Sequence, residues 1–177
     1  MHTRPATPDD AAAIVAIYGH YVLHSYATFD LEPPPVGAWQ ARIAQARPED
    51  GHHVLVAEAD GAVVGYAYSG TWRDRAAYAG TVEVSAYVRD PGRGLGRALY
   101  SRLFDLVDAG PAHRSVAGIA LPNDASVRLH ERFGFRHVGT FSEVGRKFDR
   151  WWDVAWYERR PPAAGTAHRG AGEDRSR

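Results

Sequence analysis

Thr81-Val82-Glu83-Val84-Ser85-Ala86-Tyr87-Val88-Arg89-Asp90-Pro91-Gly92-Arg93-Gly94-Leu95-Gly96-Arg97-Ala98-Leu99 passes from strand, through a glycine-rich turn, into helix. Val82, Val84, Ala86 and Val88 alternate with Thr81, Glu83, Ser85 and Tyr87, so one face is apolar and the other carries a carboxylate flanked by hydroxyls. A glutamate in mid-strand runs against propensity and is costly if half buried. It marks either a solvated outer face or a site. Gly92, Gly94 and Gly96 fall at every second position of the turn, which lets backbone N–H groups approach a ligand closely. The helix that follows adds its N-terminal dipole, and the combination suits a pyrophosphate. A plain glycine turn is the other reading. A Walker loop is excluded because Gly-Lys-Ser/Thr is absent, and a dinucleotide fingerprint because Arg97 stands where glycine is needed.

The surrounding chain reads as a mixed α/β domain. A strand at Thr3 to Ala6 leads to Thr7-Pro8-Asp9-Asp10, which has the form of a helix start rather than a signal peptide. Ile14, Ile17, Tyr18 and Tyr21 then recur at helical spacing as far as His24. Pro33-Pro34-Pro35 separates this helix from a second, on which Val36, Trp39 and Ile43 share one side. Val54 to Ala59 and Ala62 to Gly70 form a hairpin joined at Asp60-Gly61. After the quoted stretch, helix runs from Arg93 to Ala109, with Leu95, Leu99, Leu103, Leu106 and Val107 as its apolar stripe. Ser115 to Leu121 is a buried strand and Asn123 to Phe133 a helix. Phe135 to Phe141 and Trp152 to Tyr157 are late strands. One domain is expected over residues 1–160. Residues 161–177 hold no Val, Ile, Leu or aromatic residue, and nine of the seventeen are Ala, Gly or Pro, so this tail is expected to be disordered.

Composition removes several classes of function. Twenty-one Lys+Arg balance twenty-one Asp+Glu, which argues against a protein that lives on nucleic-acid phosphates. There is no cysteine, hence no disulfide scaffold, thiol nucleophile or Cys-ligated zinc. The apolar run Ala11 to Tyr18 is too short for a membrane. A soluble cytoplasmic protein is expected. Only Lys147 among the basic residues is lysine, a bias that codon usage explains.

Other candidates follow from position. Asn123, Val127 and His130 lie on one side of their helix and Leu129 and Phe133 on another, which takes His130 out of the core. It is then a surface histidine or part of a site at the helix start. Trp72-Arg73-Asp74-Arg75-Ala76-Ala77-Tyr78 is a solvated loop or a clamp for an anionic group beside Glu83. His20 and His24 have metal-ligand spacing without an evident third ligand, so no metal is expected. Ser-His-Asp catalysis lacks its Gly-x-Ser-x-Gly elbow.

These residues resemble the GNAT superfamily of acetyl-CoA-dependent N-acetyltransferases and, within it, the phosphinothricin and methionine sulfoximine acetyltransferases. Besides the quoted stretch, the resemblance is carried by Ile17-Tyr18-Gly19-His20-Tyr21-Val22, Ala27-Thr28-Phe29-Asp30-Leu31-Glu32-Pro33 and the Trp72–Tyr78 loop. Leu121-Pro122-Asn123-Asp124-Ala125-Ser126-Val127-Arg128-Leu129-His130-Glu131, Val144-Gly145-Arg146-Lys147-Phe148 and Trp152-Asp153-Val154-Ala155-Trp156-Tyr157 complete it. It implies the GNAT fold, a central mixed twisted sheet flanked by helices, and acetyl-CoA as co-substrate. The family pattern places pantetheine along Ala86, Tyr87 and Val88, pyrophosphate on Gly92, Arg93, Gly94, Leu95, Gly96 and Arg97, and Asn123 against the cofactor. It makes Glu83 the general base and puts His130 where many relatives carry a tyrosine acid. Phe29, Arg73, Arg75, Tyr78, Ser85 and Lys147 are the implied substrate residues. Pro91 departs from the pattern, standing where the superfamily loop usually has Arg or Gln. The acceptor implied is the amine of a small amino acid or analogue, acetylated directly, by an enzyme that commonly forms homodimers. A protein or peptide N-acetyltransferase and a non-catalytic CoA-binding regulator are the alternatives.

Overall fold

A computed structural model describes residues 1–162. Its sheet contains β1 (His2–Pro5), β2 (His53–Ala59), β3 (Ala62–Thr71), β4 (Thr81–Val88), β5 (Arg114–Ala120), β6 (Arg136–Lys147) and β7 (Arg150–Arg159). The spatial order is β1-β2-β3-β4-β5-β7-β6. Every neighbouring pair is antiparallel except β4 and β5, which are joined by the crossover helix α3 (Leu95–Ala109). The other helices are α1 (Ala11–His24), α2 (Val36–Ala44) and α4 (Asp124–Arg132).

Both faces of the central strands are covered. On one, Leu55, Ala57, Val82 and Val84 pack with Leu99, Leu103 and Val107 of α3. On the other, Val54, Val56 and Tyr66 meet Ile14 and Ile17 of α1 and Trp39 and Ile43 of α2. A strand between two such layers is apolar at consecutive positions, as β2 is. The second layer overturns the solvated-face option for β4 at Tyr87, whose ring is 5.1 Å from those of Tyr18 and Tyr21 and 5.5 Å from that of Tyr66.

Other expectations shift in detail. Val36 starts α2 but is exposed, because Trp39 and Ile43 alone reach the sheet. Helix α3 begins at Leu95 rather than Arg93, since Gly94 has φ +75° and cannot continue a right-handed helix. The late strands extend into one long hairpin. Its turn is Phe148-Asp149, both at positive φ, and a register shift between Phe141 and Gly145 accommodates Glu143 at φ +51°. No glycine or proline marks that turn. The expected disordered tail lies, from residue 163 onward, outside the described residues.

The parting of β4 and β5 fixes the site. They pair only from Thr81↔Arg114 to Glu83↔Val116, after which β4 continues along β3 to Val88↔Gly65 while β5 stays with β7 to Ala120↔Val154. Arg89 N–H donates to the Val64 carbonyl at 2.8 Å, which sets the phase of the β3–β4 ladder. In an antiparallel pair the bonded positions alternate. Ser85 and Tyr87 therefore exchange bonds with β3, and the N–H and C=O of Ala86 and the N–H of Val88 turn toward the gap.

The chain start is pinned by Asp10. Its carboxylate accepts from Arg4 at 2.7 and 2.9 Å and from Thr7 N–H at 2.8 Å, tying β1 to the first helical turn. The Arg4 hydrogen bonds outweigh burial and hold this carboxyl below its ordinary value of 3.8. Its stabilisation is therefore complete above pH 3.8 and lost as pH falls through the lower folded value. Asp10→Asn should cost about 2 kcal/mol at neutral pH and flatten the acid limb of a melting-temperature-versus-pH curve. An unchanged limb would remove Asp10 from the account.

Candidate active site

A cleft of about 790 Å³ opens where β4 and β5 separate. Its walls are Val84 to Val88 of β4, the turn from Asp90 to Gly92, Gly94 to Arg97 at the start of α3, Gly118 to Ala120 of β5 and the first turns of α4. Gly92 and Gly94 have φ +92° and +75°, and nothing lies within 4 Å of where their Cβ atoms would be. Glycine is needed there for conformation, and the space above is left for a ligand. The first bond at the start of α3 runs from Ala98 N–H to the Gly94 carbonyl at 3.0 Å, so the N–H groups of Leu95, Gly96 and Arg97 have no partner within the helix. An unpaired strand edge, a glycine cradle and a free helix N-terminus thus share one cleft, and a thioester carrier with an amide-bearing arm and a pyrophosphate fits all three. Pro91 is exposed on the rim.

Asn123 caps α4, its Oδ1 accepting from Ser126 N–H at 3.1 Å, while its side chain faces the cleft. His130 is also in the cleft wall but is only 5% exposed, which corrects the expectation that it lies outside the core. The helix face it shares with Asn123 is roofed by Tyr100 and Phe135, with ring centres 5.2 and 5.1 Å away. Both of its nitrogens are engaged: Nδ1 lies 2.8 Å from the Ser126 carbonyl and Nε2 2.9 Å from the Tyr100 hydroxyl. A carbonyl can only accept, so Nδ1 carries the proton and Tyr100 O–H donates to Nε2. Burial pushes the His130 pKa down, keeping the ring neutral.

Glu83 lies two residues along β4 from Ser85 but lines a second depression, of about 820 Å³, between α2 and β3. Opposite it across the ladder is Gly70, which leaves that side open. Burial raises the Glu83 pKa above its ordinary 4.5, and the guanidinium groups of Arg73 and Arg42 oppose the rise. Arg42, which reasoning from sequence missed, is placed over the rings of Tyr68 and Trp39 at 4.7 and 5.0 Å. The available signal was its i+3 spacing from Trp39.

The remaining candidates form two groups. Arg73 stacks on Trp72 at 5.1 Å, and Trp72 meets Tyr78 edge-on, also at 5.1 Å. Arg73, Arg75 and Tyr78 are all exposed, and neither depression counts them among its walls. Phe29 lies flat on Gly145, where its ring leaves no room for a Cβ. Lys147 is buried and donates to the Thr28 carbonyl at 2.7 Å, with burial lowering its pKa. Thr28 and Phe29 thus bring these two residues to one strap over β6. His20 and His24 have ring centres 5.1 Å apart, and among the described residues no three His, Cys, Asp or Glu are grouped to hold a metal. No described helix is long and apolar enough to cross a membrane.

The architecture defines an acyl-transferring enzyme class: a mixed sheet split between its parallel strands, with an anion cradle at the split. A family model described as Acetyltransferase (GNAT) domain matches residues 4–156. The chain is 47% identical over 164 residues to a phosphinothricin N-acetyltransferase of Streptomyces coelicolor, covering 90% of this chain and 95% of the relative. It is 41% identical to an L-methionine sulfoximine/L-methionine sulfone acetyltransferase of Salmonella typhimurium, covering 89% and 93%. The solved structure of a phosphinothricin acetyltransferase from Sinorhizobium meliloti in complex with acetyl-CoA superposes with a TM-score of 0.86 at 32% identity, covering 97% and 94%. The chain belongs to the GNAT family of acetyl-CoA-dependent N-acetyltransferases, and within it to the phosphinothricin and methionine sulfoximine acetyltransferase group.

Gly94→Ala isolates the backbone requirement, because the added methyl group meets no atom. Strain alone should lower stability by about 1–2 kcal/mol in a denaturant titration and weaken CoA binding in calorimetry. Wild-type values for both would show that the left-handed turn is dispensable.

Proposed function

We propose that this enzyme transfers the acetyl group of acetyl-CoA directly to the primary amine of a small amino acid or analogue of the phosphinothricin and methionine sulfone type. The observation that carries the reading is the free edge of β4 opposite the glycine cradle, with Glu83 on the same strand. Acetyl-CoA supplies the activated thioester. Ala86 and Val88 offer backbone groups that hold its pantetheine arm and polarise its carbonyl. Leu95, Gly96 and Arg97 present N–H groups to its pyrophosphate, and Asn123 holds the arm from the opposite wall.

An amine is protonated at neutral pH and must lose a proton before it attacks. Glu83, its pKa raised by burial, is the base for that proton, directly or through a water. The leaving thiol has a pKa near ~8.5 and needs far less help. His130 holds no spare proton when Nδ1–H is committed to Ser126 and Nε2 accepts from Tyr100, so we assign it a positioning role between α3 and α4. Alignment of the two substrates supplies the rest, with no cysteine available for a covalent acetyl-enzyme.

The acceptor class rests on the names of the relatives and on the arginines. Arg73 and Arg75 suit a carboxylate and an anionic or strongly polar side-chain end, with Tyr78, Ser85, Phe29 and Lys147 as further contacts. Since Arg73 and Arg75 are exposed in one chain, we infer a homodimer that closes the acceptor site. Its interface would use the apolar residues left open on the β6–β7 hairpin: Phe141, Val144, Phe148 and Trp151 are each more than half exposed. Use of acetyl-CoA, an intracellular metabolite, puts the reaction in the cytoplasm.

A second acceptor class has one specific support. A ribosomal-protein-alanine N-acetyltransferase from Brucella melitensis is 34% identical, with a TM-score of 0.84, covering 90% of this chain and 98% of that one.

Glu83→Gln should lower kcat by ~10²–10⁴-fold with CoA binding unchanged. In the wild type, kcat/KM should fall as pH drops through the raised Glu83 pKa, and the variant should lack that limb. Wild-type turnover in the variant would remove Glu83 from the mechanism. In a thiol-release assay, methionine sulfone or phosphinothricin should outcompete leucine, and Arg75→Ala should raise KM for them about tenfold or more. Faster acetylation of a peptide N-terminus would favour the second class instead.

A further inference from the structure

The cofactor cleft carries more positive charge than a pyrophosphate uses. Arg97 of α3 and Arg128 and Arg132 of α4 all line it. Arg128 and Arg132 are i and i+4, one above the other on a helix face. Their place along the cleft is fixed by the residue between them: Leu129 Cδ2 stands 3.2 Å from where a Cβ on Gly96 would be. The second turn of α4 therefore touches the first turn of α3, and the arginines flank the anion-binding helix start rather than the thioester end at Ser85 and Gly118.

These guanidinium groups are available. Among the described residues no carboxylate lies within 4.0 Å of Arg97 or Arg132. Arg128 has only Asp124, at 3.9 Å with both side chains mostly exposed, a contact of little strength. Arginine forks match phosphate oxygens, and three of them exceed what a pyrophosphate already served by the helix N–H groups requires.

We propose that Arg97, Arg128 and Arg132 form a second phosphate site, which takes the 3′-phosphomonoester on the ribose of CoA and makes the enzyme selective for the fully phosphorylated carrier. The proposal rests on the acetyl-CoA reading given above. A phosphomonoester carries nearly two charges and three acceptor oxygens at neutral pH, and a cluster of guanidinium groups is the chemistry that recognises it.

The test compares acetyl-CoA with acetyl-3′-dephospho-CoA on the full chain, by thiol release and by calorimetry. The wild type should show a KM for acetyl-CoA about tenfold or more below that for the dephospho thioester. The preference should shrink in high salt, as exposed charges are screened. An Arg128→Ala/Arg132→Ala double variant should raise the acetyl-CoA KM toward the dephospho value and leave the dephospho KM unchanged. Equal KM values for the two thioesters in the wild type, which need no variant to fold, would overturn the site. So would a double variant that raises both KM values in parallel. If neither thioester is bound or consumed, the acetyl-CoA reading itself fails, and this site with it.

Discussion

The separation of β4 from β5 after Glu83 is the constraint on which the molecule turns. A strand can leave its neighbour only where the groups it abandons are paired elsewhere, reached by water or taken up by a ligand. Here β5 keeps β7 and β4 keeps β3, so each strand retains one full ladder while the gap between them stays open. The parallel pairing forces the crossover through α3, and the crossover delivers the glycine turn and a helix N-terminus to the mouth of that gap. Part of the freed edge is used by the protein itself, where Tyr21 O–H donates to the Val88 carbonyl at 2.7 Å. What remains, Ala86 and the Val88 N–H, faces the cleft between the two strands.

The packing around the split is unequal, and the inequality separates the chemistry. The α3 face of β4 is aliphatic, and the opposite face is an aromatic layer built from Tyr18, Tyr21, Trp39, Tyr66 and Tyr87. Glu83 sits at the edge of that aromatic layer, where Gly70 and the end of α2 leave an opening. Burial raises the proton affinity of its carboxylate, while Arg42 and Arg73 keep the rise in check. Raised proton affinity of this kind is the property that the general-base role proposed for Glu83 draws on.

Much of this was legible in the sequence because local rules and tertiary packing agree there. The strand at β4, the turn at Gly92 and Gly94 and the Asp60-Gly61 hairpin follow from local geometry, and the structure has each of them, although the use of the β4 polar face and of the glycine turn stayed open in the sequence. Legibility failed where a long-range neighbour decides. His130 reads as outside the core on a helical wheel and is buried because Tyr100, thirty residues away, closes over it. The hairpin turn at Phe148-Asp149 has neither glycine nor proline and only Asp149 as a weak signal, and the partner that holds its base, Trp152 Nε1–H donating to the Lys147 carbonyl at 2.9 Å, cannot be read from spacing. The i+3 spacing places Arg42 beside Trp39, but its position next to Glu83 was hidden for the same reason, since helix α2 and strand β4 meet only in the fold.

Amide hydrogen exchange, resolved by residue, tests the central claim most directly. With β4 free along one edge, the N–H groups of Ala86 and Val88 should exchange faster than those of Ser85 and Tyr87, which the β3 ladder protects. Addition of acetyl-CoA should slow Ala86 and Val88 and leave Ser85 and Tyr87 as they were, an alternating pattern along one strand. Uniform protection of all four without ligand, or no change at Ala86 and Val88 when acetyl-CoA is bound, would contradict the account of the split sheet as the cofactor site.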